Sequence, residues 1–300
     1  MLVTAHTGRE YAVRSAQLVT QRLTDAGIAV RTITGENSGQ GAEEVPASAE
    51  AAEGAELVSV LGGDGSLLRA AELSRPAQVP LIGVNLGHVG FLAEAEPDGL
   101  ADLVERAVAR QYTVEERMTI DVTVRSNGSA IVSTWALNEA TVEKAARERM
   151  VDVITEIDGR PLSRWGCDGV VCSTPTGSTA YAFSAGGPVV WPEVEALLMV
   201  PISAHALFAP PMMVSPQSVL AVELIAGHET SGAVLWCDGR RKVDLPPGAR
   251  VEVRRGSLPV LLARLQGPGP AGFTDRLVAK FGLPVAGWRG RTWEDTGKHA

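Results

Sequence analysis

The sequence predicts two domains: an α/β domain with a parallel sheet over residues 1–115, to which 271–300 return, and an all-β, sandwich-like domain over 116–270. Three observations carry this. Up to about Thr113, compact apolar runs alternate with amphipathic helical stretches, the pattern of a parallel sheet with helices on its faces. Beyond Thr113 the period drops to two, with turn signals between short runs. Near Phe273 the helical period returns in Phe273, Leu277 and Phe281. A length of 300 residues suits one large domain or two modest ones.

In chain order, Met1–Ala5 reads as a short strand. Thr7-Gly8-Arg9 opens a helix with Ala12, Ala16, Val19 and Leu23 on one face, and Gly27 ends it. Ile28–Thr34 is a strand, Gly35–Gly41 a polar loop, and a short helix is expected from about Pro46. Leu57-Val58-Ser59-Val60-Leu61 is a buried strand running into Gly62-Gly63-Asp64-Gly65-Ser66. Glycines let the backbone come close to a ligand. Amides at the start of the next helix favour an anion. Asp64 at the loop's mouth suits holding a metal or accepting a proton. The same residues equally serve an ordinary turn with Asp64 or Ser66 capping the helix, and this stretch alone does not choose. Pro80–Asn85 is the next strand, followed by the glycine-punctuated Leu86–Phe91. A helix from Pro97 then presents Leu100, Leu103, Val104, Ala107 and Val108. Both glycine loops fall at carboxyl ends of strands, where such sheets bind ligands.

In the second domain Ile120, Val122 and Val124 alternate with polar residues, and turns fall at Ser126–Ser129 and Asp158-Gly159. Strands are expected at Ile131–Thr141, Val151–Ile157, Gly169–Cys172, Val219–Ile225, Ala233–Trp236, Val251–Arg254 and Val260–Leu265. Two stretches carry chemistry. Asn138-Glu139 sets an amide beside a carboxylate at a strand end, a pair able to read ribose hydroxyls or a base edge. Asp168–Pro188 is dense in hydroxyl and small residues, a strand entering a loop that suits a sugar–phosphate with a stacked base. A serine-rich loop closing a β-sandwich is the competing explanation.

The net charge of −8 offers no global basic field for nucleic acid, so an anionic ligand needs local arginines and backbone amides. Cys167, Cys172 and Cys237 are odd in number and match no zinc spacing, which points to a reducing compartment. No apolar stretch is long enough for a membrane helix, and no basic-then-apolar leader opens the chain. The expected location is therefore cytoplasmic.

Together, Gly62–Ser66, Asn138-Glu139 and the run Asp168–Pro188 resemble the NAD kinase family. Thr7-Gly8-Arg9, Asn85-Leu86-Gly87, Pro201–His205 and Cys237-Asp238-Gly239 fall in the family order, so the resemblance covers nearly the whole chain. It implies a Rossmann-like first domain within the two-domain NAD kinase and diacylglycerol kinase-like architecture. It also implies phosphorylation of NAD at the 2′-hydroxyl of its adenosine ribose, with ATP or inorganic polyphosphate as donor and a divalent metal, Mg²⁺. By the same resemblance Asp64 is the catalytic acid–base residue. Asp64, Gly65 and Arg69 are implied in dinucleotide contact, as are Asn138 and Glu139, Arg149, Asp168, and the run Thr179, Ala180, Tyr181, Ala182, Phe183 and Ser184. Arg240 stands where the family often has Gln, and Ala209-Pro210 where it commonly has Arg-Pro. No residue is assigned to the metal. A homo-oligomer, dimer or tetramer, is implied, and no nucleic acid or membrane partner. The first loop is shared with lipid and diacylglycerol kinases, so a lipid kinase or a non-catalytic NAD(P)-sensing module remains the alternative at this stage.

Other signals are set aside. Gly267–Gly272 fits G-x-G-x-x-G literally, but Pro268 and Pro270 remove amide donors, and it reads as a linker. The histidines are scattered, Arg240-Arg241-Lys242 and the arginines at Arg147 and Arg149 suit a solvated turn as well as a phosphate, and Trp288 and Trp293 suit core or interface.

Overall fold

In the computed structural model of the chain the described residues are 1–36, 39–86, 90–93, 99–146, 149–225, 232–265 and 272–285. The linker stretch 267–271, Arg147, His88, His228, His299, Trp288 and Trp293 lie outside them. Two compact units form, Met1–Glu115 with Leu261–Ala300, and Glu116–Val260.

The first unit begins with β1 (Leu2–Ala5), α1 (Glu10–Asp25), β2 (Arg31–Ile33) and β3 (Glu43–Val45). It continues with β4 (Val58–Gly62), α2 (Asp64–Ser74), β5 (Leu81–Asn85), α3 (Leu100–Val108) and β6 (Tyr112–Arg117). Helix α1 buries Ala12, Ala16, Val19 and Leu23, the face its spacing predicts, and Gly27 takes φ +77° just past its end. Helix α3 likewise buries Leu100, Leu103, Val104 and Ala107. Strands β4 and β5 are buried throughout, because helices cover both sheet faces and no polar alternation is tolerated.

The second unit is strand upon strand. It comprises β7 (Ile120–Ser126), β8 (Ser129–Ala136), β9 (Glu139–Lys144), β10 (Val151–Ile157), β11 (Arg160–Cys167) and β12 (Gly169–Ser173). A short helix α4 (Tyr181–Ser184) follows, then β13 (Leu197–Ile202), β14 (Met212–Val214), β15 (Leu220–Leu224), β16 (Ala233–Cys237), β17 (Arg241–Leu245) and β18 (Arg250–Arg255). The expected turns close hairpins: Asn127 and Gly128 have φ +49° and +78°, Asp158 and Gly159 +53° and +73°. Two antiparallel six-stranded sheets result, in the orders β11-β10-β15-β18-β7-β8 and β14-β13-β12-β9-β16-β17. Their inner faces share a core containing Val122, Val153, Trp165, Val170, Met199, Val222, Leu235 and Val251. The second sheet is also covered on its outer face, where Val171, Leu198 and Val200 pack with Ala182 and Val190. That cover is the loop following β12.

The chain then returns to the first unit as β19 (Val260–Leu265) and α5 (Phe273–Phe281). Strand β19 corrects the sequence-based expectation, which put it in the all-β domain. It lies in the first unit's sheet, of order β3-β2-β1-β4-β5-β19-β6, parallel to β5 with Leu262 opposite Leu81. Short apolar runs look alike in parallel and antiparallel surroundings, so its partner was not readable from its pattern. Further differences are local. No helix forms after Pro46; residues 46–55 make turns around buried Ala51 and Ala52. The expected Ile131–Thr141 strand is two, β8 in one sheet and β9 in the other, breaking at Leu137-Asn138. The expected Ile28–Thr34 strand shrinks to β2.

Candidate functional site

In the first sheet the chain runs from β1 out to β2 and β3, then restarts on the other side of β1 with β4 and β5. The direction of winding therefore reverses between β1 and β4. Ligands of open α/β sheets bind beyond the carboxyl ends at such a reversal. The loop Gly62–Ser66 leaves β4 at that point. Gly62 is needed there, since a Cβ on it would stand 2.2 Å from Ser66 Oγ.

Asp64 is the first residue of α2, and the N-cap is Gly63, without a side-chain cap hydrogen bond. The capping explanation of Asp64 thus fails. Its carboxylate turns to the second glycine loop: the backbone N–H of Phe91 donates to Oδ2 at 3.1 Å and that of Leu92 to Oδ1 at 3.2 Å. Gly90 makes room, because a Cβ there would fall 2.3 Å from Asp64 Oδ1. Each oxygen keeps a lone pair for another partner. The acid is pinned in place yet still half-buried at the rim.

Gly65 is exposed beside it. Arg69, one turn on, has its guanidinium 2.6 Å from Glu36, whose carboxylate also accepts the Ala5 N–H at 2.8 Å. Burial raises the Glu36 pKa against the opposing pull of that amide and Arg69. Glu36 comes from a loop without periodicity, so spacing gave no sign of it.

In the second unit, Asn138 and Glu139 stand where the chain leaves one sheet for the other. Asn138 C=O accepts the Thr174 N–H at 2.9 Å and Ser173 Oγ–H at 3.0 Å, and Thr174 Oγ–H donates to Leu137 C=O at 2.6 Å. Gly177 allows this closeness; its Cβ would lie 2.1 Å from Asn138 O. From the other side Asp238, in the turn after β16, accepts the amides of Leu137 at 3.0 Å and Asn138 at 2.7 Å. Asp238 is ion-paired to Arg241 at 2.6 Å, and Arg241 lies over the Trp135 ring at 4.5 Å. Burial raises the Asp238 pKa against three amides and this arginine.

Glu139 is the most perturbed carboxyl of the cluster. Burial, then the Asp238 charge, push it up to about 8, against the Tyr181 N–H that hydrogen-bonds it. Its Oε2 has no hydrogen-bond partner among the described residues.

The remaining expected residues line the loop after β12. Asp168 is paired with Lys144 at 2.5 Å. Thr179 and Ala180 are half-buried, while Tyr181, Phe183 and Ser184 are exposed on α4. Burial and the neighbouring Glu143 raise the Tyr181 pKa, so it stays a neutral donor. Ala182 is fully buried in the outer core, leaving only its backbone to face a ligand. Arg149 and Arg240 are exposed. The structure thus gathers Asn138, Glu139 and Tyr181 around one acid cluster and adds Asp238 and Arg241. Sequence reading met Asp238 only as part of Cys237-Asp238-Gly239, and Arg241 only as part of a basic cluster. Among the described residues no group of three or more His, Cys, Asp or Glu is placed to hold a metal. No described helix is long and apolar enough to cross a membrane.

Comparison with known proteins bears on both units. Residues 2–112 match the family described as ATP-NAD kinase N-terminal domain, and residues 137–265 the ATP-NAD kinase C-terminal domain. The chain is 62% identical over 306 residues to an NAD kinase of Thermobifida fusca, covering 98% of this chain and 92% of that one. It is 62% identical to NAD kinase 2 of Streptomyces coelicolor, covering 95% of each. With an NAD kinase of Mycobacterium leprae it shares 51%, covering 97% of each. Among solved structures it resembles an Archaeoglobus fulgidus NAD kinase in complex with ATP, with TM-score 0.69, 27% identity, and 94% and 98% of the two chains covered. In fold it also resembles yeast NADH kinase complexed with NADH, with TM-score 0.76, 21% identity, and 89% and 84% covered.

Proposed function

The chain belongs to the NAD kinase family, and we propose Asp64 as the general base of its reaction, the transfer of a phosphoryl group from ATP to the 2′-hydroxyl of the adenosine ribose of NAD, giving NADP and ADP. The observation that carries this assignment is the fixing of Asp64 by two loop amides at the winding reversal of the sheet.

A ribose hydroxyl is a poor nucleophile until its proton is withdrawn. Asp64 has the free lone pairs to accept that proton while the amides of Phe91 and Leu92 hold its carboxylate still. A carboxylate is a weak base, which suffices because phosphoryl transfer passes through a loose transition state in which the proton can move late. Positioning then supplies most of the rate. The dinucleotide is read by Asn138, Glu139, Asp168 and the loop Thr179–Ser184, with the open Glu139 Oε2 turned to a hydroxyl or base edge. At neutral pH a carboxyl raised to about 8 is largely protonated, so it donates as well as accepts.

Mg²⁺ would enter on the triphosphate, since that ion keeps several waters and takes few protein carboxylates. The bound ion would offset phosphate charge. A reducing cytoplasm and a homo-oligomer, dimer or tetramer, complete the proposal, supported by the three unpaired cysteines and by family membership.

Purified protein with ATP, Mg²⁺ and NAD should accumulate NADP. Asp64→Asn should lower turnover by roughly 10²–10⁴ while NAD still binds, as measured by isothermal calorimetry. Near-normal turnover in that variant would remove Asp64 from the role.

A further inference from the structure

We infer that Arg276, on α5, is a positioning residue for the catalytic carboxylate, acting on Asp64 through one shared peptide group. The inference rests on the assignment of Asp64 as general base.

The peptide between Phe91 and Leu92 has two faces of contact. Its N–H, from Leu92, donates to Asp64 Oδ1 at 3.2 Å. Its C=O, from Phe91, accepts from Arg276 Nη1 at 2.9 Å. The order is guanidinium, carbonyl, amide, carboxylate. A cation on the carbonyl polarises the peptide and strengthens the amide as a donor, as in any chain of hydrogen bonds. It also fixes the tilt of the peptide plane, and so where the carboxylate can sit.

Neighbouring contacts hold this arrangement. Arg264 Nη1, from β19, reaches Leu92 C=O at 3.3 Å, while its Nε is paired with Glu115 at 2.8 Å. The Phe91 ring packs on Phe273 at 5.4 Å and on Phe281 at 6.3 Å between centroids. Phe273, Arg276 and Phe281 all meet Phe91, two through their rings and one through the carbonyl. The two rings dock the helix; the arginine between them points at the backbone that holds the acid. The helix has its own stop and start: Gly272 N–H is capped by Asp275 at 3.1 Å, and Gly282 takes φ +59° at the end. Nothing in the side chain of Arg276 needs to meet substrate for this to work.

The test compares Arg276→Gln and Arg276→Lys in the wild-type and Asp64→Asn backgrounds, with steady-state NADP formation and thermal unfolding as readouts. Arg276→Gln is expected to lower kcat by about 10- to 100-fold, with KM for NAD and ATP within about twofold of wild type. Arg276→Lys, which keeps the charge, should recover part of the loss. In the Asp64→Asn background either substitution should cost less than about twofold, because the group it positions is already gone. Should Gln impair folding, the Lys variant carries the same comparison between backgrounds. Equal losses in both backgrounds, or a fall in melting temperature without a kcat effect, would mean that Arg276 only anchors the helix and would overturn the inference. If Asp64→Asn itself kept full turnover, the general-base assignment would fail first, and the two failures are thereby told apart.

Discussion

Glu139 shows what a single side chain adds. Its folded pKa of about 8 stands above the ordinary 4.5, chiefly through burial. For an acid raised in this way, the folded state holds its proton more tightly than the unfolded state. Its stabilising contribution is whole below pH 4.5 and is lost as pH climbs to about 8, at up to about 1.4 kcal/mol per pH unit. Glu139→Gln removes the titration. The variant should therefore gain stability relative to the parent between pH 5 and 8, read as the gap between urea midpoints over a pH series. A gap that stays constant across the series would contradict a raised Glu139. Spacing alone marked Asn138-Glu139 as a polar pair at a strand end. It had no means of showing that Asp238, a hundred residues on, holds the Asn138 amide at 2.7 Å.

Among elements, the glycine loops separate two kinds of close approach. A Cβ on Gly177 would meet the Asn138 carbonyl, which is backbone and fixed by two other donors. A Cβ on Gly90 would meet the tip of the Asp64 side chain, which can swing away. Gly177→Ala should accordingly cost about 1–3 kcal/mol of stability. Gly90→Ala should leave the melting temperature close to wild type while turnover drops at least tenfold, since the carboxylate must leave its two amides. Differential scanning calorimetry beside an NADP assay distinguishes the two. Strong signals made the larger elements legible: the unbroken apolar runs of β4 and β5, the one-sided helices α1 and α3, and the Asn-Gly and Asp-Gly turns. The misses have physical causes. Residues 46–55 are rich in Ala and Glu but too short to nucleate a helix without a packed stripe. Strand β3, with Glu43 and Glu44 exposed, is held by backbone pairing to β2 and carries no side-chain pattern. The Leu137-Asn138 break hides inside a continuous strand-like run, because a chain crossing between sheets keeps its alternation on both sides.

For the whole molecule, the central fact is that the first unit's sheet takes a strand from beyond residue 260. A fragment ending at Glu115 would leave β5 with a bare edge where β19 belongs, and such edges pair promiscuously. In hydrogen exchange, amides of Leu81–Asn85 should be strongly protected in the full chain and exchange much faster in the fragment. Equal protection would show that β19 is dispensable to the sheet. The fold class was readable from the change of period at about Thr113, but the late strand was not. Its neighbours β5 and β6 lie some 180 and some 150 residues earlier, and periodicity carries no address.

That late strand also has a consequence in time. Protein synthesis is vectorial, and the nascent chain emerges with Asp64 long before Arg264 and Arg276. The antiparallel unit, continuous from 116 to 260, has all its partners at hand while the earlier segment still waits for its missing strand. Long-range closure of this kind is slow, because loop entropy is lost before the contact rewards it. The carboxylate's seat is thus finished only after the whole antiparallel unit has been made. A truncated translation product would carry the glycine-rich signature and a complete antiparallel unit, yet lack the braces behind its acid.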